Sequence, residues 1–313
     1  MALLDRVRLR ARQTGGAYLH EFVARTFFFF ERWGLHLTLN HYYSPVPDTR
    51  KLTDGLFATR SAMPGVDFSE ERQLTLLKEF VARYKAEYDA LPVHPTGTVH
   101  AFYLDNPAVP PVDAEILYCM IRHHRPRRIV EIGSGHSTRL AAHAAFVNAA
   151  KHGGAPCEVV AIEPYPDDVL RRGFPGLSRL IARELQDVPL AEFETLGDGD
   201  ILFIDSSHVL RMGNDVQYEY LEILPRLKPG VIVHVHDIHM PFHYPKALVI
   251  GSRRFWNEQY VLQAFLACND SFEVLWGSHF MLTCHRDALA AAFPTSIGLP
   301  RLWPSSCWIR RTR

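Results

Sequence analysis

The stretch VEIGSGHSTRL, residues 130–140, combines a glycine turn with a carboxylate. Gly133 and Gly135 stand one residue apart, so the backbone there can turn sharply and approach a ligand closely. Such turns commonly seat a pyrophosphate on a helix N-terminus. Here Glu131 would repel a pyrophosphate, and Thr138 stands where a dinucleotide fingerprint has its third glycine. The pattern therefore favours a ligand that carries a cationic or amine-bearing group.

Other polar side chains follow short apolar runs further along the chain. Glu163 ends CEVVAIEP, and a carboxylate at this place can accept hydrogen bonds from both hydroxyls of a ribose. The run LIARELQ is expected to end near residues 186–188. DILFIDSSH and GVIVHVHDIH end in groups that can move a proton or hold a metal ion, namely Asp205, His208, His236, Asp237 and His239.

The apolar runs after residue 127 are rich in Val and Ile and do not alternate with polar residues, which is typical of strands buried on both faces. Helix-like segments separate them, notably 137–151 and 213–227. This alternation predicts an α/β fold with a parallel sheet and helices on both faces. Ligands bind such sheets beyond the carboxyl ends of the strands. The polar residues that end these runs are therefore expected to share one site.

The region before the sheet is expected to be helical and rich in loops. Proline breaks and polar stretches interrupt it, and residues 69–90 have the apolar spacing of a helix. The apolar face of that helix is predicted to contain Leu74, Leu77, Val81, Tyr84 and Tyr88. We predict a helical N-terminal and lid region at 1–110, followed by the sheet domain at 111–313.

Composition limits the function classes. The 313 residues include 34 basic and 34 acidic side chains, and this balance argues against nucleic acid as a partner. Five cysteines without a CxxC pair favour a cytoplasmic protein without a disulfide framework. The run TFFFFERWGLHL is interrupted by Glu31 and Arg32, so stable membrane insertion is not expected. The oligomeric state stays open, with a homo-oligomer among the alternatives.

The motifs VEIGSG, AIEP, DILFIDSSH and LPRLKPGVIVHVHDIHMPFHYP occur in this order across residues 127–245. Together they resemble class I S-adenosylmethionine-dependent methyltransferases, and most closely the bacterial small-molecule enzymes with a DxSH…HDI signature. The resemblance implies a Rossmann-like, seven-stranded sheet and S-adenosylmethionine as cofactor. It also implies that Glu163 holds the ribose and that Asp187 and Val188 flank the adenine. The remaining implied cofactor residues are Glu131, Gly133, Ser134, Gly135, Asp205 and Ser206.

The resemblance further implies methylation of a small molecule at oxygen or nitrogen. His208 and Asp237 are the first candidates for aligning the acceptor and removing its proton, followed by His236. His234 is expected to be a core histidine. Asp205 and Asp237 also resemble the divalent-metal site of catechol-type O-methyltransferases, and His239 completes a candidate metal set. Ile238 stands where those enzymes have a second amide or carboxylate, which weakens the metal hypothesis.

Three alternatives remain open: a non-methylating transferase or cyclase that uses the same cofactor, a nicotinamide dehydrogenase, and a cofactor-binding protein without catalysis. The fold predicts one more feature, because a class I sheet ends in an antiparallel pair. SFEVLW (271–276) is predicted as the sixth strand. For the seventh we prefer SSCWIRRT (305–312) to HFMLTCHR (279–286), since the latter precedes an alanine- and leucine-rich segment that favours a helix.

Overall fold

The computed structural model describes residues 18–19, 21–300 and 302–313. The chain divides into two compact units, Met1–Leu56 and Phe57–Arg313. The predicted boundary at residue 110, together with the lid role of the region before it, remains a prediction. No helix within the described residues is both long enough and apolar enough to cross a bilayer.

The first unit contains little regular structure in its described part. Residues 21–31 are helical (α1), and Thr49–Lys51 form a single turn of 3-10 helix. The Asp48 side chain caps that turn by accepting a hydrogen bond from the backbone N–H of Arg50. Residues 1–17 of the predicted helical N-terminal region lie outside the described residues.

The second unit contains one mixed sheet. Within its described residues the strands are β1 (Arg128–Ile132), β2 (Glu158–Ile162), β3 (Arg179–Ile181), β4 (Ile201–Ile204), β5 (Ile232–Val235), β6 (Phe272–Gly277) and β7 (Cys307–Arg311). Their order is β3-β2-β1-β4-β5-β7-β6, with β1 to β5 parallel and β7 antiparallel to both β5 and β6. The predicted Rossmann-like seven-stranded fold is confirmed.

The carboxyl-terminal segment completes this sheet. β7 lies between β5 and β6, as predicted for 305–312, and its Trp308 and Ile309 side chains are fully buried. The competing segment at 279–286 is mostly helical instead. The predicted sixth strand is also confirmed, because β6 overlaps residues 271–276 almost completely.

Helices surround the sheet and connect its strands. After residue 53 the α-helices are α2 (Asp54–Ala58), α3 (Glu70–Tyr88), α4 (Asp113–His124), α5 (His136–His152), α6 (Asp168–Arg172), α7 (Ala191–Glu194), α8 (Asp215–Tyr218), α9 (Glu258–Ala267), α10 (Ser278–Cys284), α11 (Arg286–Ala292) and α12 (Pro294–Ile297). The predicted helix at 213–227 is irregular, since α8 continues as a π-helical segment and a 3-10 turn. α4 packs against α3 and α5, and α5 packs against β2.

The buried face of α3 differs from the predicted one. Leu77, Tyr84 and Tyr88 are buried as expected, but Leu74 and Val81 are only half-buried. Gln73 and Phe80 are fully buried in their place. The Gln73 amide donates to the Phe68 carbonyl, and its oxygen accepts a hydrogen bond from the Gly277 N–H at 2.8 Å. These bonds allow a polar side chain to be buried in the apolar stripe.

The third strand is shorter than predicted. β3 pairs with β2 only through Arg179–Ile181, and the chain then forms a 3-10 turn at Leu185–Asp187. The expectation that this strand ends near residues 186–188 was therefore wrong. β3 lies at the edge of the sheet, where one side has no neighbouring strand to extend the pairing.

The register aligns the carboxyl ends of the central strands. Ile132 at the end of β1 pairs with Ile162 of β2 and Ile204 of β4. Ile204 in turn pairs with Val235 of β5. The residues that follow these strands therefore emerge together at one edge of the sheet. This edge holds the polar groups singled out in the sequence.

Candidate active site

The glycine turn after β1 depends on Gly133. Its φ is +75°, and a Cβ at this position would lie 1.8 Å from the Asp205 carbonyl oxygen. Gly135 differs, because its φ of 171° is ordinary extended backbone and no atom lies within 4 Å of a Cβ built there. Gly133 is thus required by the packing of β1 on β4. Gly135 leaves open space beside the start of α5.

Glu131 is buried under this turn without a partner. Only 1% of the residue is exposed, and neither carboxylate oxygen has a hydrogen-bonding partner among the described residues. Burial raises the pKa of Glu131 to about 7, with Ser137 and Thr138 nearby opposing the shift. A buried carboxyl group without a partner is costly to ionise. A cation at the turn would remove much of that cost.

Glu163 joins the glycine turn to the end of β2. Its carboxylate accepts hydrogen bonds from the Ser134 N–H at 3.2 Å and from the Tyr165 N–H at 2.8 Å. A carboxylate has about four acceptor positions, so further donors can still be bound. The side chain is half-buried and lines a cavity.

That cavity has a volume of about 380 Å³ and opens beyond the ends of β1, β2 and β4. We call it the cofactor cavity. Of the predicted cofactor residues, those that line it are Gly133, Glu163, Asp205 and Ser206. Glu131, Ser134 and Gly135 belong to the adjoining turn. Residues 184–186 also line the cavity.

Asp187 and Val188 do not line the cofactor cavity. Asp187 is exposed, and Val188 is buried with its carbonyl accepting a hydrogen bond from the Tyr218 hydroxyl at 3.1 Å. The residues that face the cavity lie just before them, because β3 ends earlier than the apolar run suggests.

Three side chains from the ends of β4 and β5 form a cluster. Asp205, His208 and Asp237 each offer a metal-ligating atom, and these atoms lie within 4.8 Å of one another. The His208 Nε2 atom is 3.3 Å from Asp205 Oδ1 and 3.5 Å from Asp237 Oδ2. Two members of this cluster, His208 and Asp237, are predicted catalytic residues. Two members, Asp205 and Asp237, are predicted metal ligands.

His208 is held from behind by Glu258. Its Nδ1 atom lies 2.9 Å from Glu258 Oε2, and Glu258 also accepts a hydrogen bond from the Tyr220 hydroxyl at 3.2 Å. Burial opposes the imidazolium, but the hydrogen bonds to Asp205 and Glu258 outweigh it and hold the pKa of His208 well above its usual value. The ring packs against Trp256 with centroids 4.3 Å apart. Glu258 therefore fixes which nitrogen faces the cluster.

His236 and Asp237, which follow β5, differ from His208 in the groups that surround them. His236 Nδ1 is 3.5 Å from Asp237 Oδ1 and 3.8 Å from Asp205 Oδ1. Burial lowers the pKa of His236, but these two carboxylates outweigh it and raise the pKa to about 9. Asp237 also accepts a hydrogen bond from the Ser305 hydroxyl at 3.1 Å. Although burial opposes its charge, His236 and His208 hold the pKa of Asp237 below its usual range.

His239 and His234 lie outside the cluster. His239, predicted as a metal ligand, is not one of the three clustered residues, and burial lowers its pKa to about 3. His234 is in the core as predicted, stacked on Phe203 at 3.9 Å and edge-on to Trp308. Neither ring nitrogen of His234 has a partner among the described residues, and burial lowers its pKa well below the usual value.

The segment Asn257–Gln259, at the start of α9, was missed in the sequence. The Asn257 and Glu258 N–H groups donate to the His208 carbonyl at 3.0 and 3.2 Å. Gln259 Oε1 accepts a hydrogen bond from the His239 N–H at 3.0 Å. The N-terminal end of α9 therefore binds both the loop after β4 and the loop after β5. The sequence WNEQY offers no motif for this role, since its partners lie 20 to 50 residues away.

A second cavity, of about 330 Å³, lies beyond β5. We call it the acceptor-side cavity. It is lined by Asp237, His239, Leu248, Arg254, Trp256 and Trp303, among others. Because Asp205 lines the cofactor cavity and Asp237 lines this one, His208 contacts a wall residue of each.

Comparison with known proteins identifies a domain type for part of this chain. Residues 130–238 match the model of a family described as a methyltransferase domain. An uncharacterized protein of Archaeoglobus fulgidus is 37% identical over 170 residues, which cover 51% of this chain and 74% of that protein. A crystal structure from Plasmodium falciparum, described as a protein-L-isoaspartate O-methyltransferase with S-adenosyl-L-homocysteine bound, is 17% identical over 52% of this chain and 83% of that chain. Its TM-score of 0.29 is too low to support an inference.

The family match and the strand order define the class of protein. Residues 130–238 match a methyltransferase domain and lie within a Rossmann-like seven-stranded sheet, so the chain contains a methyltransferase domain. It belongs to the same family as the archaeal protein.

Proposed function

We propose that the protein transfers a methyl group to an oxygen or nitrogen of a small-molecule acceptor at the Asp205–His208–Asp237 cluster. One observation carries this proposal: the cluster has one residue in the wall of each cavity, Asp205 in the cofactor cavity and Asp237 in the acceptor-side cavity. A donor in the first cavity and an acceptor in the second would meet at these side chains. Such alignment is the main contribution that a protein makes to a displacement reaction.

The residues of the glycine turn fit the proposed cofactor. S-adenosylmethionine, when bound, supplies a methyl group on a positively charged sulfur. Glu131 is a buried carboxyl group without a positively charged partner among the described residues, and it would be paired by the ammonium of the methionine end. Gly135 leaves room for close approach, and Glu163 retains acceptor positions for the ribose hydroxyls.

The cluster can also receive the proton that the acceptor loses. Asp237 lines the acceptor-side cavity, so its carboxylate is the group that an acceptor would meet first. Glu258 occupies Nδ1 of His208, which leaves Nε2 as the nitrogen that faces the two aspartates. Because both ring nitrogens of His208 face carboxylates and its pKa is raised, His208 is a charged imidazolium that orients the two aspartates. We therefore assign proton removal to the Asp237 carboxylate, and we assign His208 and His236 to the charge balance around it.

A metal ion at the cluster is a second proposal, favoured by the spacing of the three ligand atoms. Asp205, Asp237 and His208 would hold it, and a divalent cation would polarise the acceptor oxygen. In this proposal His208 is the third metal ligand instead of the predicted ligand His239. The two roles of His208 exclude each other, because a nitrogen that coordinates a cation has no lone pair for a proton. Elemental analysis and chelation followed by Mg²⁺, Mn²⁺ or Zn²⁺ addition distinguish them.

The test of the main proposal is turnover with analysis of both products. The protein is incubated with S-adenosylmethionine and a panel of phenols, carboxylates and amines, and the sulfur-containing products are measured by mass spectrometry. S-adenosylhomocysteine together with a methylated acceptor, both reduced by Asp237→Asn, would support methyl transfer. Methylthioadenosine in their place would instead show transfer of the aminocarboxypropyl group.

A further inference from the structure

The acceptor-side cavity has aromatic walls. Trp256 and Trp303 both line it, and Leu248 adds an apolar surface. Trp256 is held in place by its contacts with His208 at 4.3 Å and with Tyr244 at 5.9 Å between ring centroids. Trp303 is half exposed, at 51%. Aromatic rings pack favourably on one another, so an aromatic ligand is one that two indole rings in a cavity wall can bind.

The wall of this cavity carries a positive charge. Arg254 lines the wall, and its guanidinium lies 5.2 Å from the centroid of the Trp256 ring. Among the residues that the structure describes, no carboxylate forms an ion pair with it. An exposed guanidinium stacked on an indole is well placed to bind a planar anion such as a carboxylate.

The wall of the same cavity also carries a negative reacting group. Asp237 lines the cavity, and its charge is balanced by His208 and His236. An acceptor with an anionic group would be repelled by Asp237 and attracted by Arg254, and this polarity fixes its orientation. Its anion would lie at Arg254, and the atom to be methylated would lie beside Asp237.

We propose that the acceptor is a small aromatic acid whose ring packs against Trp256 and Trp303 and whose carboxylate binds Arg254. The proposal rests on the methyl transfer proposed above and names its substrate class. The volume of about 330 Å³ lies at the small end of ligand cavities, which fits a molecule of one or two rings.

Three probes separate the two features of such a ligand. 4-Hydroxybenzoate has both a ring and a carboxylate, 4-hydroxybenzamide has the ring without the charge, and 4-hydroxycyclohexanecarboxylate has the charge without the ring. Their affinities for the full-length protein are measured by ligand-observed NMR. We expect 4-hydroxybenzoate to bind about 10-fold more tightly than either of the others, as one charged contact or one stacked ring produces.

Two variants test whether Arg254 and Trp303 cause these binding preferences. Arg254→Gln should abolish the preference for the acid over the amide, and Trp303→Ala should reduce the preference for the aromatic ring about 5-fold or more. Arg253→Gln is the matched control, because Arg253 is also exposed but does not line the cavity. Equal affinities for the three probes, or preferences that survive both variants, would overturn the proposal.

Calorimetry with S-adenosylhomocysteine on the same samples separates this proposal from the proposed function. Binding of S-adenosylhomocysteine without selectivity among the three probes would reject only the aromatic acid. Selective binding of 4-hydroxybenzoate without binding of S-adenosylhomocysteine would support the aromatic-acid site and reject methyl transfer.

Discussion

Replacing Glu131 by glutamine tests the proposed pairing of this side chain with an ammonium group of the ligand. In the ligand-free protein this carboxyl group is buried and without a partner among the described residues, and burial raises its pKa to about 7. An ammonium placed beside it favours the ionised form and lowers the pKa again. Ligand binding must then release a proton below pH 7. The affinity of wild-type protein for S-adenosylmethionine should therefore rise with pH.

The size of this effect follows from the two pKa values. If the ligand restores Glu131 from about 7 to its ordinary 4.5, the affinity increases about 25-fold between pH 5.5 and pH 8 and levels off above pH 7. Because the folded-state pKa is raised, the ligand-free protein should also lose stability as the pH rises from about 4.5 to about 7. Glu131→Gln removes both dependences.

The assay is calorimetry with S-adenosylhomocysteine from pH 5.5 to pH 8 on both proteins. The free α-carboxylate of S-adenosylhomocysteine keeps its amino group largely protonated over this pH range, so the ratio of the two affinities isolates Glu131. Methylthioadenosine lacks that amino group and serves as the control ligand, for which the ratio should stay constant. A ratio that is also flat for S-adenosylhomocysteine would refute the proposed contact.

Three further predictions concern the turn, the histidine and the last strand. Gly133→Ala should destabilise the fold by about 2 kcal/mol or more, because its Cβ meets the Asp205 carbonyl, whereas Gly135→Ala should leave the melting temperature unchanged and weaken S-adenosylhomocysteine binding. Glu258→Gln should lower kcat about 10- to 100-fold with little change in the KM for S-adenosylmethionine, since it positions His208; a change confined to KM would contradict this role. Deleting residues 300–313 should give insoluble protein, and a soluble truncation that binds cofactor would show that β7 is dispensable.

The sheet and much of its ligand edge could be predicted from the sequence because both depend on local patterns. Runs of Val and Ile mark strands buried on both faces, and β1, β2, β4 and β5 all lie in such runs. The residues after parallel strands must emerge at one edge, so Glu163, Asp205 and Asp237 could be assigned to a common region. The seventh strand was predictable because the competing segment had a stronger helical pattern.

The remaining features depend on contacts between distant parts of the chain. Glu258 touches His208 across 50 residues, and no local pattern connects them. Gln73 can occupy the buried face of α3 because the Phe68 carbonyl and the Gly277 N–H lie within hydrogen-bonding distance of its side chain. The end of β3 was misplaced because an apolar run does not show where pairing stops at a sheet edge. Residues 184–186, just before Asp187 and Val188, line the cofactor cavity.

The most direct test of the account is the affinity of S-adenosylhomocysteine for the wild-type protein and for Glu163→Ala. Asp168→Ala is the control, because this acid also follows β2 but is exposed and lies outside the cofactor cavity. The account predicts one site per chain, a loss of about 1–3 kcal/mol in Glu163→Ala, and no change in Asp168→Ala. A wild-type protein that does not bind, or a Glu163→Ala variant that binds as tightly as the wild type, would contradict it.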